Sequence, residues 1–179
     1  MRGCRILSFA TILFAACAAW AVDPATHLTQ YAHRAWRIQD GFFSGSPTTI
    51  AQTVDGYLWV GTATGLFRFD GAHFVPWTAF SHDKRLESAE VSSLLGARDG
   101  SLWIGAAYHL FRWKDNVLSD YSTEDEFIAA IVETPKGDIW LARTRQGSQL
   151  GALCQAQDRS LRCYSDKEGA PLSFGMSLI

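Results

Sequence analysis

The 179-residue chain is 47% hydrophobic and 19% charged, a globular balance that excludes a disordered or fibrous protein. Its length suits one ordinary domain with a sizeable core. The formal charge of −2 comes without a Lys/Arg cluster, so a basic nucleic-acid-binding surface is excluded as well.

The first 21 residues read as a secretion signal outside the fold. Arg2 and Arg5 form a positive start, Ile6 to Ala19 is an almost unbroken apolar run, and Ala19-Trp20-Ala21 offers the small residues a signal peptidase reads. A membrane anchor is the competing reading, but the run is short for a span of roughly 20 residues. A lipoprotein box at Phe14-Ala15-Ala16-Cys17 is the other, with Phe a poor first residue, and no Arg pair supports twin-arginine export. Export to the periplasm removes Cys4 and Cys17 and leaves Cys154 and Cys163 in an oxidising compartment. It also leaves 14 basic against 18 acidic residues, a mature charge of −4 that does not suit anionic membranes.

After a lead over 22–30, residues 31–41 read as an isolated outer strand running through Ala35-Trp36-Arg37-Ile38 into a link at Asp40-Gly41. A repeat follows. Asp55-Gly56-Tyr57-Leu58-Trp59-Val60-Gly61-Thr62 is matched by Asp99-Gly100-Ser101-Leu102-Trp103-Ile104-Gly105-Ala106, and more weakly by Lys136-Gly137-Asp138-Ile139-Trp140-Leu141-Ala142-Arg143. The three Trp are 44 and 37 residues apart, a period that points to solenoids or propellers. No stretch keeps a helical period over three turns, which excludes a helical solenoid.

Each copy reads as four hairpinned strands. In the first, over 46–78, an inner strand at Thr49-Ile50-Ala51 turns at Asp55-Gly56 into Leu58-Trp59-Val60, then into Leu66 to Phe69, then at Asp70-Gly71 into Phe74 to Trp77. The second, over 88–122, runs Val91 to Leu95, Leu102 to Ile104, Leu110 to Trp113 and, past Asp115-Asn116, Val117 to Tyr121. The third, over 127–165, runs Ile128 to Val132, Ile139 to Leu141, Leu150 to Cys154 and, past Asp158-Arg159, Leu161 to Tyr164. Residues 166–179 read as the start of a fourth, with Met176 to Ile179 as its first strand. Four-stranded antiparallel units in series are β-propeller blades, so the fold class is all-β, with about three blades of an incomplete ring. At roughly 40 residues a blade, six to eight blades need well over 240 residues. Trp59, Trp103 and Trp140 are expected to pack between blades, and Gly56, Gly61, Gly100, Gly105 and Gly137 to mark the repeat.

The cysteines fall inside the last hairpin. A two-residue turn at Asp158-Arg159 sets Gln157 opposite Ser160 and, counting outward, Cys154 opposite Cys163. Pairs alternate outward from the hydrogen-bonded one at the turn, so the cysteines fall on a non-hydrogen-bonded pair, with Cα atoms about 4.5 Å apart. That separation permits a disulfide.

The run Asp55 to Thr62 with Gly65-Leu66-Phe67-Arg68-Phe69-Asp70-Gly71 resembles the two-component regulator propeller repeat. The resemblance covers roughly Tyr31 to Ile179. It is close over Asp55 to Gly71, modest over Asp99 to Asp115, where Ala106 to His109 replaces the usual Thr-x-x-Gly turn, and weak over Lys136 to Arg143. It implies a periplasmic ring that senses a small ligand, often a glycan fragment, and signals through a membrane helix to a kinase. By the same implication its partners are the rest of the ring and, in the full-length protein, a second copy. The family has no fixed catalytic residues to transfer, and the loop Thr144 to Gln149 is the place for blade-specific behaviour.

The residues themselves carry no catalytic motif. His27, His33, His73, His82 and His109 lack paired metal-ligand spacing, and no Gly-x-Ser-x-Gly occurs. Glu124-Asp125-Glu126 lacks the glycine and alternation of a calcium loop and reads as solvated surface, as does His82-Asp83-Lys84-Arg85. No cofactor and no metal is implied. The inner strands begin at Thr49, Val91 and Ile128 without carboxylates, which favours a non-catalytic sensor over the alternatives, an exported enzyme or accessory protein acting on polysaccharide or a protein-interaction scaffold.

Overall fold

Alternating apolar residues broken by Asp-Gly and Lys-Gly pairs leave the backbone one economical way to satisfy its polar groups, which is to fold back on itself every few residues. The computed structural model describes residues 35–121, 127–144, 150–164 and 172–173. Blade one consists of β1 (Pro47–Gln52), β2 (Leu58–Thr62), β3 (Gly65–Phe69) and β4 (Phe74–Pro76). Blade two consists of β5 (Val91–Gly96), β6 (Leu102–Ala106), β7 (His109–Lys114) and β8 (Val117–Asp120). Blade three consists of β9 (Phe127–Glu133), β10 (Ile139–Thr144), β11 (Leu150–Gln157) and β12 (Ser160–Tyr164). Each is a four-stranded antiparallel meander in chain order, so three successive blades of a propeller are present.

The turns have the backbone their residues allow. Gly56, Gly100 and Gly137 sit at φ 88°, 82° and 93°, in the left-handed region that a side chain disfavours. Where the first two blades turn from second to third strand they part company. Blade one uses Gly65 at φ 146°, whereas blade two forces Ala107 (φ 48°) and Tyr108 (φ 67°) into the left-handed region. The substitution seen in the repeat there is a change of turn.

Each inner hairpin carries a one-residue bulge at the same place. The register slips at Thr48, between Pro47↔Thr62 and Thr49↔Gly61, and at Ser92, between Val91↔Ala106 and Ser93↔Gly105. It slips again at Ala129, between Ile128↔Arg143 and Ala130↔Ala142. The residue left unpaired at a bulge is free to reach sideways, and two of the three carry hydroxyls that do so.

Two cores form at the two blade junctions. Trp59, Leu66, Trp77, Leu86, Val91, Leu102, Ile104 and Phe111 close the first. Trp103, Leu110, Tyr121, Ile128, Ile131, Ile139, Leu141 and Cys154 close the second. At roughly 1.5–3 kcal/mol for each fully buried large side chain, this burial holds blade to blade.

Two boundaries differ from the sequence reading. Ala35 to Gly41 is not a strand: Ile38–Asp40 is a 3-10 turn closed by Gly41 at φ 77°, whose N–H donates to Ile38 O at 2.9 Å. No neighbouring strand runs beside it among the described residues, so its backbone bonds locally. Its side chains still cap blade one, because Trp36 meets Phe69 edge-on at 4.9 Å and Phe43 meets Phe74 at 5.1 Å. At the other end, Leu172–Ser173 (β13) pairs antiparallel with β11 at Gly151 and Leu150 and so extends blade three. Residues 31–34 and Met176 to Ile179 lie outside the described residues.

Candidate functional site

The Trp of the repeat is the hub of each junction. Trp59 is buried, and its indole N–H donates to Thr53 Oγ1 at 3.0 Å. Thr53 Oγ1 in turn donates to Asp55 Oδ1 at 2.5 Å. Opposite Trp59 on β3 stands Arg68, whose guanidinium lies 4.4 Å from the Tyr57 ring centre and 4.8 Å from that of Phe80. Phe80 also meets Trp59 edge-on at 5.6 Å, and Trp113 of blade two meets Trp77 at 4.9 Å. The first junction is therefore filled by aromatic rings.

The second junction keeps the hub and loses the filling. Trp103 is again buried and Arg112 again stands opposite it, 5.6 Å from the ring. But the counterparts of Thr53, Tyr57 and Trp113 are Ala97, Ser101 and Ala156. A cleft of about 520 Å³ opens there, lined by Ala97, Arg98, Asp99, Trp103, Arg112 and Tyr121 on blade two, and by Glu133, Pro135, Lys136, Ala156 and Asp158 on blade three. It sits at the Asp-Gly end of the blades, where the first and third turns of each blade gather.

The cleft is electrostatically rigid. Asp99 Oδ1 accepts from Ser101 N at 2.9 Å and Ser101 Oγ at 2.6 Å, and Oδ2 accepts from Arg112 Nη2 at 2.6 Å and Lys114 Nζ at 3.1 Å. Burial works to raise its pKa, but these bonds from Ser101, Lys114 and Arg112 outweigh it and hold the carboxyl well below the ordinary range. For Arg112 burial pulls the pKa downward, and the bonds to Asp99 and Tyr121 with their charge interactions together outweigh it, so the guanidinium stays charged. Arg98 ties the two walls together: its backbone N donates to Glu133 Oε2 at 2.9 Å, its Nε lies 3.1 Å from Glu133 Oε1, and its guanidinium reaches the Thr134 and Pro135 carbonyls. A carboxylate with four donors is an acceptor fixed in place, not a group poised to exchange protons.

A second recess, of about 240 Å³, lies at the opposite end and is lined by Ser88, Glu90, Ser92, Tyr108 and Phe127. Around it the blades are latched. Thr48 Oγ1 donates to Val91 O at 2.5 Å and to Gly61 O at 3.0 Å, and Ser92 Oγ donates to Ile128 O at 2.8 Å and to Gly105 O at 3.1 Å. Each bulge hydroxyl thus bonds the residue just before the bulge of the next blade. Gly61 and Gly105 are glycines because the next blade leaves no room: a Cβ on Gly61 would stand 2.6 Å from Val91 Cγ1, and one on Gly105 2.7 Å from Ile128 Cβ. In blade three the same two positions are Ala129 and Ala142, so neither latch nor glycine recurs.

Of the repeat marks, Trp59 and Trp103 lie between blades as expected, while Trp140 is half-buried and stacks on Tyr164 at 5.8 Å. The cysteines are joined: Cys154 and Cys163 face each other in register with Cα atoms 4.0 Å apart and form a disulfide. The polar link at 82–85 is structural, since Asp83 accepts from Arg85 N at 3.0 Å and the Arg85 guanidinium donates to Leu118 O at 3.1 Å. Glu124 to Glu126 and residues 145–149 of the Thr144 to Gln149 loop lie outside the described residues, as do His27 and His33. Sequence reading missed Thr48, Ser92, Asp99 and Arg112. The signal that could have found them is a position-by-position comparison of the blades.

No protein-family model matches the chain, and no curated protein matches it in sequence. Solved structures do. The extracellular domain assigned to a hybrid two-component system of B. thetaiotaomicron matches with a TM-score of 0.51 and 19% identity, over 67% of this chain and 16% of that one. PorZ, a bacterial surface component of the type-IX secretion system of Porphyromonas gingivalis, matches with a TM-score of 0.52 and 18% identity, over 66% and 19%. YCF48 bound to D1 peptide matches with a TM-score of 0.51 and 14% identity, over 73% and 43%. The chain therefore spans less than half the length of each of these. At such identities the likeness is one of fold, and with three meandering sheets in series it makes this chain part of a β-propeller.

Proposed function

We propose that the chain is a ligand-binding segment of an extracytoplasmic propeller of the two-component regulator type, sensing a small ligand and transmitting rather than transforming it. The observation that carries this reading is the contrast between the two junctions. One is packed solid with aromatic rings, and the other opens a 520 Å³ cleft on the same Trp–Arg hub. A rigid scaffold with one repeat position released from packing is what a binding module requires. The clamped Asp99 speaks against a hydrolytic role for that cleft. The likeness to an extracellular two-component domain and the Cys154–Cys163 disulfide support an exported location.

The test is a melting-temperature screen of the exported chain against oligosaccharide fragments, the ligand class the repeat implies, followed by mass spectrometry of each ligand. A saccharide that raises the melting temperature and is recovered intact supports sensing. One that is cleaved shows the polysaccharide-acting enzyme instead, and no response to any saccharide removes the glycan class.

A further inference from the structure

The open junction specifies the shape of what would fill it. In blade one the Arg68 guanidinium is flanked by two aromatic rings, Tyr57 and Phe80, and the Trp59 N–H is satisfied by the Thr53 hydroxyl. In blade two the hub residues Trp103 and Arg112 are retained, but Ser101 brings no ring, and Ala156 replaces the ring of Trp113. Ala97 brings no hydroxyl, so the Trp103 N–H has no acceptor among the described residues, although the residue is only 5% exposed and lines the cleft. The residue lines the cleft, so an oxygen placed there can accept from this N–H as the Thr53 hydroxyl accepts from Trp59. Filling this site in the manner of the first junction takes a flat ring over the guanidinium and an oxygen near Ala97.

We propose that the cleft between blades two and three binds a small hydroxylated aromatic compound, a phenol, whose ring lies over Arg112 and whose oxygen accepts from the Trp103 N–H. The proposal deepens the reading of the chain as a binding module by naming a ligand class for its cleft. The ring gains from cation–π contact with a guanidinium held in place by Asp99, and from apolar contact with Ala156 and Tyr121. Arg98 is tied to Glu133 and Arg112 to Asp99, and Lys136 and Asp158 add one charge of each sign, so the lining has no net charge for the ligand to match. A volume of about 520 Å³ exceeds a single phenol and leaves room for a substituent.

The experiment uses the full chain and p-cresol, the side chain of tyrosine as a free molecule, with toluene as the ring without its hydroxyl. Saturation-transfer NMR titrations are expected to show p-cresol binding, and toluene binding roughly two- to tenfold more weakly, the worth of one hydrogen bond. Ala156→Trp restores the ring of the first junction and should abolish both signals. Ala97→Thr supplies the missing acceptor and should erase the preference for p-cresol while leaving toluene bound. If Ala156→Trp does not fold, Ala97→Thr alone decides. No p-cresol signal, equal binding of the two probes by the unmodified chain, or p-cresol binding that survives Ala156→Trp would each overturn the assignment. Binding of p-cresol without any saccharide response would leave the cleft assignment standing and fail only the glycan class.

Discussion

Gly105→Ala adds one methyl group and should be among the most damaging small changes in the chain. The new Cβ would run into Ser93 Oγ and would stand 2.7 Å from Ile128 Cβ and 3.1 Å from Ile128 Cγ2. Ser93 could rotate, but Ile128 is branched at the contacting atom, and Cβ moves only with the backbone. Relief therefore pushes β9 away from blade two, which costs about 1–3 kcal/mol for overpacking. The same shift stretches the bonds from Ser92 Oγ (2.8 Å) and Ser93 Oγ (3.0 Å) to Ile128 O, adding about 1 kcal/mol. A total loss of about 2–4 kcal/mol follows. Ala142→Gly is the control, because the corresponding residue of blade three is already alanine, and it should cost only about 1 kcal/mol for the lost methyl and added chain freedom. Urea denaturation of both variants, compared at constant m-value, reads the difference. If Gly105→Ala stays within about 1 kcal/mol of the unmodified chain, the close approach of the blades is wrong, and with it the explanation of the repeat glycines.

The remaining expectations concern single groups. Trp59→Phe should cost more than Trp103→Phe by about 1 kcal/mol in denaturant melts, because only Trp59 gives up an indole hydrogen bond, to Thr53; equal losses would contradict the difference between the junctions. Reducing the Cys154–Cys163 disulfide should destabilise by up to roughly 2.7 kcal/mol for a loop of about ten residues. Thiol labelling of the oxidised chain, mapped by mass spectrometry, should find neither Cys154 nor Cys163 free, and labelling of both would refute the bridge. Asp99→Asn should lower the melting temperature at neutral pH, since bonds from Ser101, Lys114 and Arg112 hold the carboxyl well below the ordinary carboxylate range in the folded state. A depressed pKa gives stability that is present above the unfolded value and lost as pH falls through the folded one. The gap between Asp99→Asn and the unmodified chain should therefore close on acidification from about pH 5 downward, and a gap that is constant with pH would show that Asp99 acts by shape alone.

Most of what neighbours in sequence decide was legible in the sequence. The Asp-Gly and Lys-Gly pairs place the inner turns, because the left-handed backbone there favours glycine. The disulfide could be counted from Asp158-Arg159, because a hairpin's register is set by its turn, and Cys154 does face Cys163. The isolated outer strand was misread over Ala35 to Gly41 because strand pattern says nothing of whether a partner lies alongside. What the sequence could not decide lies between blades. Thr48 and Val91 are 43 residues apart, and Arg85 and Leu118 are 33 apart. Such contacts depend on how far apart two finished sheets come to rest, which the local pattern leaves open. Gly61 and Gly105 looked like punctuation and are clearances for the next blade; Trp103 looked like its twin Trp59 and lines a cleft. The physical reason is the range of the forces: hairpins close through bonds between near neighbours in sequence, whereas a junction is settled by the summed volumes of side chains from two sheets. Replacing Tyr57 by Ser101 and Trp113 by Ala156 leaves every strand in place and empties the space between them.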